Sequence, residues 1–447
     1  MPVRTYTFFP LDEDADLFQS LALRWAERHF KTAAFLNSNA YKGDRFGSLP
    51  WAYALGSHEE PELNNRDAIA ALKEFADASN DWLFGFFSYE LKNQLEPLQS
   101  KNPDGIGMPL CHFFRPVVLI LPAPGGMRIG TLPGYGVFSD PQAVYDMIME
   151  TEVPDTNHSA IADIKARVGK ERYLRQLQAI KKHIQQGDVY EMNYCIEFFA
   201  EEAEIDPVIV YHRLNGISQA PFSCFYATEG KYLMCASPER FMRKDGVQLI
   251  SQPIKGTSPR GKSAEEDELL RKRLYEDPKE RSENVMIVDL VRNDLSRTAQ
   301  KGSVKVEELY GIYPFRQVNQ MISTVTSSLH PDAHYLDAIR YAFPMGSMTG
   351  APKYRAMELI DIYEDTCRGL YSGAAGYISP EKNFDFNVVI RSILYNAPSK
   401  YLSYMAGSAI TIGSDPEREY EECLLKARAM GRAIMDVADE ASGGIGH

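Results

Sequence analysis

The chain has 447 residues, 44% hydrophobic and 24% charged, which is enough for a large core and more than one layered unit. A formal net charge of -13 argues against a nucleic-acid partner, and an anionic substrate would need local cations, a metal or backbone N–H groups. No apolar run is long enough to span a membrane, and the six cysteines form no C-x-x-C pair and no His/Cys metal spacing.

The cysteines read as small core residues of a reducing cytoplasm. The start, MPVRTYTFFPLDEDADLF, turns acidic too early for a signal peptide, so a cytoplasmic location is expected. Residues 14–30 place Leu17, Leu21, Leu23, Trp25, Ala26 and Phe30 at helical spacing, which predicts an amphipathic helix. AAFLNSN follows as a buried strand and residues 66–78 as a second helix. WLFGFFSYEL (82–91), FFRPVVLIL (113–121) and MRIGTL (127–132) read as strands, parted by Pro/Gly-rich stretches at 97–109 and 122–126. The polar segment EVPDTNHSA (152–160) is the predicted linker between an N-terminal region, 1–155, and a second region, 156–447. Both regions are expected to pack into one compact unit.

GKERYLRQLQAIKKHIQQGD (169–188) predicts a helix ending at Gly187. VYEMNYCIEFF reads as a strand, 206–216 as a helix, and FSCFYA, YLMCASP and VQLISQ as three strands. Two long helices are expected at 263–275 and 279–297, and a last one from about 415 to 436, with a frayed tail at ASGGIGH. The order is neither strict βαβ alternation nor all-β, and no repeat is visible. It predicts an α+β fold with large antiparallel sheets covered by helices.

LISQPIKGTSPRG (249–261) reads as a strand running into a turn, which presents Lys255 at a strand end. Gly256 lets the backbone approach a ligand, and Thr257 offers a hydroxyl and an N–H. Lys255 is a cation for an anionic substrate or, deprotonated, a nucleophile; a lone lysine beside a turn is most often a solvated charge. Glu280 and Glu283 share one helix face, as do Glu419 and Glu422. Two such faces meeting across a cleft would suit Mg²⁺; the plainer reading is a solvated acidic face, with Lys426 as the i,i+4 partner of Glu422. FPMGSMTGAPK (343–353) and AGSAITIGSDPE (406–417) read as glycine-rich turns before helices, able to cradle an anion, and neither is a P-loop. Arg391 falls in an alternating strand, where it meets a bound anion or an internal carboxylate. Tyr371 reads as a core aromatic or a hydroxyl contact, and Glu239 as a capping carboxylate or a general acid.

Together and in this order, SPERF, PIKGTSPRG, ENVMIVDLVRNDLS, FPMGSMTGAPKYRAMELI, RGLYSGAAGYIS, DFNVVIRS and SDPEREYEECLLKARA resemble the chorismate-utilising enzymes over about residues 165–435. The resemblance implies an anthranilate-synthase-like fold with a β-sandwich core. It implies Mg²⁺ held by Glu283 and Glu422, with Glu280 and Glu419 nearby, against the ring carboxylate of chorismate. It implies that N–H groups at Gly407, Ser408 and Ala409, where a third glycine is usual, hold the enolpyruvyl carboxylate with Tyr371 and Arg391. Thr257 and Thr349 would line the ring beside Gly256, Lys426 would contact a glutamate or the bound anion, and Glu239 would protonate the departing C4 hydroxyl. FLNSN resembles the segment that helps form a tryptophan pocket in glutamine-dependent members, with Ser38 as its serine.

Lys255 separates the branches of that family. Relatives forming anthranilate, isochorismate or salicylate usually carry alanine there, whereas many that form aminodeoxychorismate carry lysine, implied to attack C2. Relatives that add water have a lysine in G-D-x-x-K; here GDVYE puts Glu191 in its place, where ammonia-using relatives usually have glutamine. Gln320 stands where pyruvate-expelling relatives commonly have a histidine, and glutamine has no acid–base function near neutral pH. The resemblance thus implies amination of chorismate at C4 for folate synthesis. Ammonia would come from a glutamine amidotransferase partner, since no cysteine nucleophile elbow is present. Anthranilate formation is the alternative; isochorismate or salicylate formation and a non-catalytic binding protein stand further off. An unperturbed lysine is neutral in on the order of one molecule in a thousand at pH 7. Desolvation or a nearby base must therefore release the Lys255 proton.

Overall fold

The computed structural model describes residues 2–11, 15–47, 49–63, 67–152 and 160–435. Its strands form two antiparallel sheets joined by one long strand, Cys111–Ala123. The first residues of this strand pair with Leu83–Phe87 in one sheet, and the rest pairs with Trp51–Glu59 and Gly126–Thr131 in the other. The register shifts beside Pro116, a residue with no N–H to give the ladder.

From Cys111–Ala123 the first sheet continues through Trp51–Glu59, Thr32–Asn37, Phe222–Thr228, Lys231–Ser237, Ser392–Asn396 and Tyr401–Ile410 to Glu191–Ala200. The second continues through Leu83–Phe87, Ala374–Ile378, Phe384–Asn387, Arg240–Asp245 and Gln248–Gln252 to Val318–Ser328. Ile254–Pro259 and Lys305–Pro314 both pair with that last strand. Phe84, Phe86, Phe114, Tyr226, Leu233 and Leu394 fill the space between the sheets. Helices Ala15–His29, Lys170–Gln186, Pro207–Ser218 and Pro416–Met435 cover the first sheet. Pro278–Ser296, Ala68–Ala78 and Tyr335–Ala342 cover the second. The result is the expected α+β sandwich, with both sheets buried on two faces.

Strands from either side of the expected linker share both sheets: Thr32–Asn37 pairs with Phe222–Thr228, and Leu83–Phe87 with Ala374–Ile378. Most of the linker, including the boundary at 155, lies outside the described residues, as does the tail at 441–447. The segment 82–91 is a strand only to Phe87; Tyr89 then gives its N–H to the Gly369 carbonyl and the chain enters a helical turn. Strands Thr5–Pro10 and Trp51–Glu59 and helix Pro141–Met149 were not anticipated. No helix among the described residues is long and apolar enough to cross a membrane.

Candidate active site

Lys255 lies inside a strand, Ile254–Pro259, not at a strand end before a turn. Ile254 faces Ile322 and Thr257 faces Gln320, so the chain bulges at Lys255 and Gly256. Gly256 adopts φ +102, and a Cβ there would stand 3.0 Å from Glu280 Oε2 and 3.1 Å from Met321 Cβ. Lys255 is 8% exposed, while Thr257 faces solvent. Asn284 steadies the bulge from helix Pro278–Ser296: its Nδ2 donates to the Lys255 carbonyl (3.4 Å), and its Oδ1 accepts from Ser323 Oγ (2.6 Å).

Lys255 Nζ donates to Glu191 Oε1 at 2.5 Å. Glu191 opens strand Glu191–Ala200 and is completely buried, and its Oε2 has no hydrogen-bond partner among the described residues. Lys255 is therefore not a solvated charge. Burial pushes its pKa down, but the charge and hydrogen bond of Glu191, with the charges of Glu283 and Glu239, outweigh burial and hold it above the usual lysine value. Desolvation alone does not free this amine; its proton has a base beside it.

The glutamate pairs are set by two helix starts. Asp277 accepts from the N–H groups of Lys279 (2.8 Å) and Glu280 (3.1 Å), and Pro278 takes the first helical position. Asp415 likewise accepts from Arg418 N–H at 3.1 Å ahead of Pro416–Met435. The two acidic faces meet at Lys279, whose Nζ lies 3.6 Å from Glu283 and 3.8 Å from Glu419. Burial lifts Glu283 to about 7 and raises Glu280 as well. Burial also pushes Glu422 up, but Lys426 at 2.7 Å, helped by Lys279 and Lys255, brings it below the usual carboxylate value. Among the described residues no three acidic, histidine or cysteine side chains close into a metal cage. Among the described residues Glu283 Oε1 has no hydrogen-bond partner; the Lys279 ammonium lies 3.6 Å from it. Carboxylates on two facing helices, one with an oxygen free of hydrogen bonds, suit a hard divalent cation that keeps waters and takes an anionic ligand, in the place that Lys279 Nζ holds here.

Glu239 sits in the short link between Lys231–Ser237 and Arg240–Asp245 and is 4% exposed. Burial lifts its pKa to about 7, against the Ser347 hydroxyl, which donates to Oε1 at 2.6 Å, and the nearby charges of Lys255 and Arg391. Arg391 is not in a strand. It bridges Phe384–Asn387 and Ser392–Asn396 at φ +50, because the chain must turn there to pass from one sheet to the other. Its guanidinium has no ion pair among the described residues, and burial brings its pKa down to about 10, so it stays cationic at neutral pH.

Gly407, Ser408 and Ala409 lie in strand Tyr401–Ile410, not in a turn at a helix start; the helix begins at Pro416. They face Cys195, Tyr194 and Asn193. The N–H groups of Cys195 and Asn193 go instead to Glu364 Oε1 (2.9 Å) and the Thr349 carbonyl (2.8 Å). Alternation then puts the ladder bonds at Ser408 and turns the backbone groups of Gly407 and Ala409 to the other edge. Lys426 Nζ reaches that edge, at 3.0 Å from the Gly407 carbonyl. A Cβ at 407 would stand 2.4 Å from Cys195 Sγ, and Tyr371 OH lies 3.8 Å from the same sulfur. The Ser408 hydroxyl points away, to Tyr173 (3.3 Å), and the buried Thr349 hydroxyl donates to the Met345 carbonyl (3.0 Å).

Gln320 is buried opposite Thr257, with Oε1 unpartnered among the described residues. Ser38 lines a small cavity with Leu36, Leu49, Phe222 and Tyr377. Sequence reasoning did not place Ser347, Asn284 or Lys279 in the site, and it noted Glu191 only as a departure. Glu191 and Lys255 are 64 residues apart, so no local pattern could show that they touch.

The chain matches the chorismate binding enzyme family over residues 27–432. It is 39% identical over 275 residues to a probable chloroplastic aminodeoxychorismate synthase of Oryza sativa subsp. japonica, a match covering 61% of this chain and 30% of that one. The chain thus spans less than a third of the length of that relative. It is 32% identical over 360 residues to anthranilate synthase component 1 of Thermus thermophilus, covering 78% of this chain and 76% of the relative. Among solved structures, anthranilate synthase component I from Streptococcus pneumoniae superposes with a TM-score of 0.75 at 26% identity, over 88% of this chain and 96% of that one.

Proposed function

We propose that this chain, which belongs to the chorismate binding enzyme family, is the chorismate-aminating component of an aminodeoxychorismate synthase. It would convert chorismate and ammonia to 4-amino-4-deoxychorismate. The observation that carries this reading is Lys255, a buried amine aimed into a carboxylate-lined site. The likeness to the rice aminodeoxychorismate synthase supports it.

Arg391 and the outward backbone N–H groups of Gly407 and Ala409 would hold one substrate carboxylate. Mg²⁺ at Glu283 and Glu422, with Glu280 and Glu419 nearby, would offset the charge of the other. Glu239, with its pKa near 7, can protonate the C4 hydroxyl as it leaves. Addition of Lys255 at C2 loads the ring, so incoming ammonia bonds at C4 and expels the amine. Ammonia would come from a glutamine amidotransferase partner.

A second reading, anthranilate synthase component I, is favoured by the wider coverage of the Thermus thermophilus relative. Product analysis with chorismate, Mg²⁺ and ammonium separates the two. Our reading expects p-aminobenzoate only when an aminodeoxychorismate lyase is added. Fluorescent anthranilate formed without lyase would refute it.

A further inference from the structure

We infer that Glu191 is the base for Lys255: its carboxylate takes the Nζ proton along their 2.5 Å contact as the amine adds to C2, and returns it when ammonia displaces the amine. This rests on the amination reading above.

Geometry selects Glu191 among the carboxylates facing the lysine. Glu239 from the link between Lys231–Ser237 and Arg240–Asp245 and Glu283 from helix Pro278–Ser296 act on Lys255 through their charge, and Glu280 and Glu422 lie within its field. Among the described residues, Glu191 is the one hydrogen-bond partner of Nζ, and Glu239 is engaged by Ser347. Glu191 is also held firmly. Its backbone faces Ala351, and Gly350 closes over it so tightly that a Cβ there would stand 2.1 Å from the Glu191 carbonyl.

Electrostatics favours Glu191 over water as the acceptor of the proton. Passing a proton within the pair converts two buried charges into two neutral groups. Releasing it to water would strand a carboxylate in the interior. A glutamine in this position could hydrogen-bond the lysine but not take its proton.

The steps balance. In the first, the Nζ–C2 bond forms, the ring double bonds shift and the C4–O bond breaks. Glu191 takes the Nζ proton, and the Glu239 proton leaves with the hydroxyl as water. In the second, the bond from ammonia to C4 forms and the C2–Nζ bond breaks. Glu191 reprotonates Nζ, and the new C4 ammonium returns a proton to Glu239.

The test compares native protein, Glu191→Gln, Glu191→Ala, Lys255→Ala and the Glu191→Gln/Lys255→Ala double variant, with chorismate, Mg²⁺, ammonium and lyase. We expect Glu191→Gln to lower kcat by about 10²–10⁴-fold with KM changed only a few-fold. Its acid limb should move to higher pH, since the lysine proton must then go to solvent. Formate should restore part of the Glu191→Ala rate in proportion to its concentration. In the Lys255→Ala background, Glu191→Gln should not change the residual ammonia-dependent rate further. A Glu191→Gln enzyme with native kcat and pH profile, an equal loss in the Lys255→Ala background, or no response to formate would each overturn the inference alone. Native protein that gives no lyase-dependent p-aminobenzoate would instead overturn the amination reading, and this inference with it.

Discussion

Replacing Glu239 by glutamine should make the protein more stable at alkaline pH while nearly abolishing turnover. Glu239 is 4% exposed, and burial raises its pKa from 4.5 to about 7. A folded-state pKa raised in this way gives stability that is fully present below the unfolded value and is lost as pH rises through about 7. The gap between 4.5 and about 7 corresponds to roughly 3 kcal/mol. Glutamine keeps an oxygen for the Ser347 hydroxyl but does not ionise. Its advantage over native protein should therefore be near zero at pH 4.5 and approach about 3 kcal/mol at pH 8.5. Urea unfolding at both pH values measures this difference. In parallel, native activity should fall above pH 7 as the acid form is lost. The variant should lack that limb and run about 10²–10⁴-fold slower. An equal stability change at both pH values, or an alkaline limb that survives in the variant, would refute a buried general acid here.

Lys255→Ala should divert ammonia to C2, seen as a shift from lyase-dependent p-aminobenzoate to a C2-amino product; undiminished p-aminobenzoate would exclude a nucleophilic lysine. Arg368→Leu should cost about 3–5 kcal/mol in urea unfolding, because it leaves the Glu364 carboxylate buried without its ion pair and strips the Met348 and Asn193 carbonyls of a donor. A loss below 1 kcal/mol would mean that the pair is not needed for stability. Gly256→Ala should destabilise by about 1–3 kcal/mol through φ +102 and push Glu280 aside, weakening Mg²⁺ binding in calorimetric titration. Unchanged Mg²⁺ affinity would show that the bulge does not set the glutamate position.

Elements whose patterning is local could be read from the chain. The helix Lys170–Gln186 keeps an apolar stripe through Tyr173, Leu177 and Ile180, and stops where Gly187 takes φ +82. Trp51–Glu59 escaped because its first six residues are buried on both faces, which erases the period of two. Thr5–Pro10 escaped for the opposite reason: five of its six residues are exposed at a sheet edge. Gly407 looked like a turn glycine, but strand pairing requires it, since any side chain would collide with Cys195. Glycine composition alone does not distinguish a tight turn from a crowded strand. The residue types of the site were legible; their pairings, set by sheet register across distant segments, were not.

The charges in the site lead to a last expectation. Glu191, Glu239, Glu280, Glu283, Glu419 and Glu422 set six carboxyl groups against Lys255, Lys279, Lys426 and Arg391. Lys255 is neutralised by Glu191 at 2.5 Å and Lys426 by Glu422 at 2.7 Å. Lys279 lies between Glu283 and Glu419, at 3.6 and 3.8 Å, which leaves Arg391 as the cation without an ion pair among these four. One guanidinium matches one of the two carboxylates of chorismate; the other would meet the glutamate faces and be repelled. A divalent cation reverses that repulsion, so metal and substrate should strengthen each other. Linkage makes the effect reciprocal: each should bind about 5–150-fold more tightly in the presence of the other, and by the same factor. Calorimetric titration of chorismate with Mg²⁺ and with EDTA, and of Mg²⁺ with and without chorismate, closes the cycle. If chorismate binds equally well in EDTA, the acidic faces do not border the substrate, and the cation site would have to be sought elsewhere.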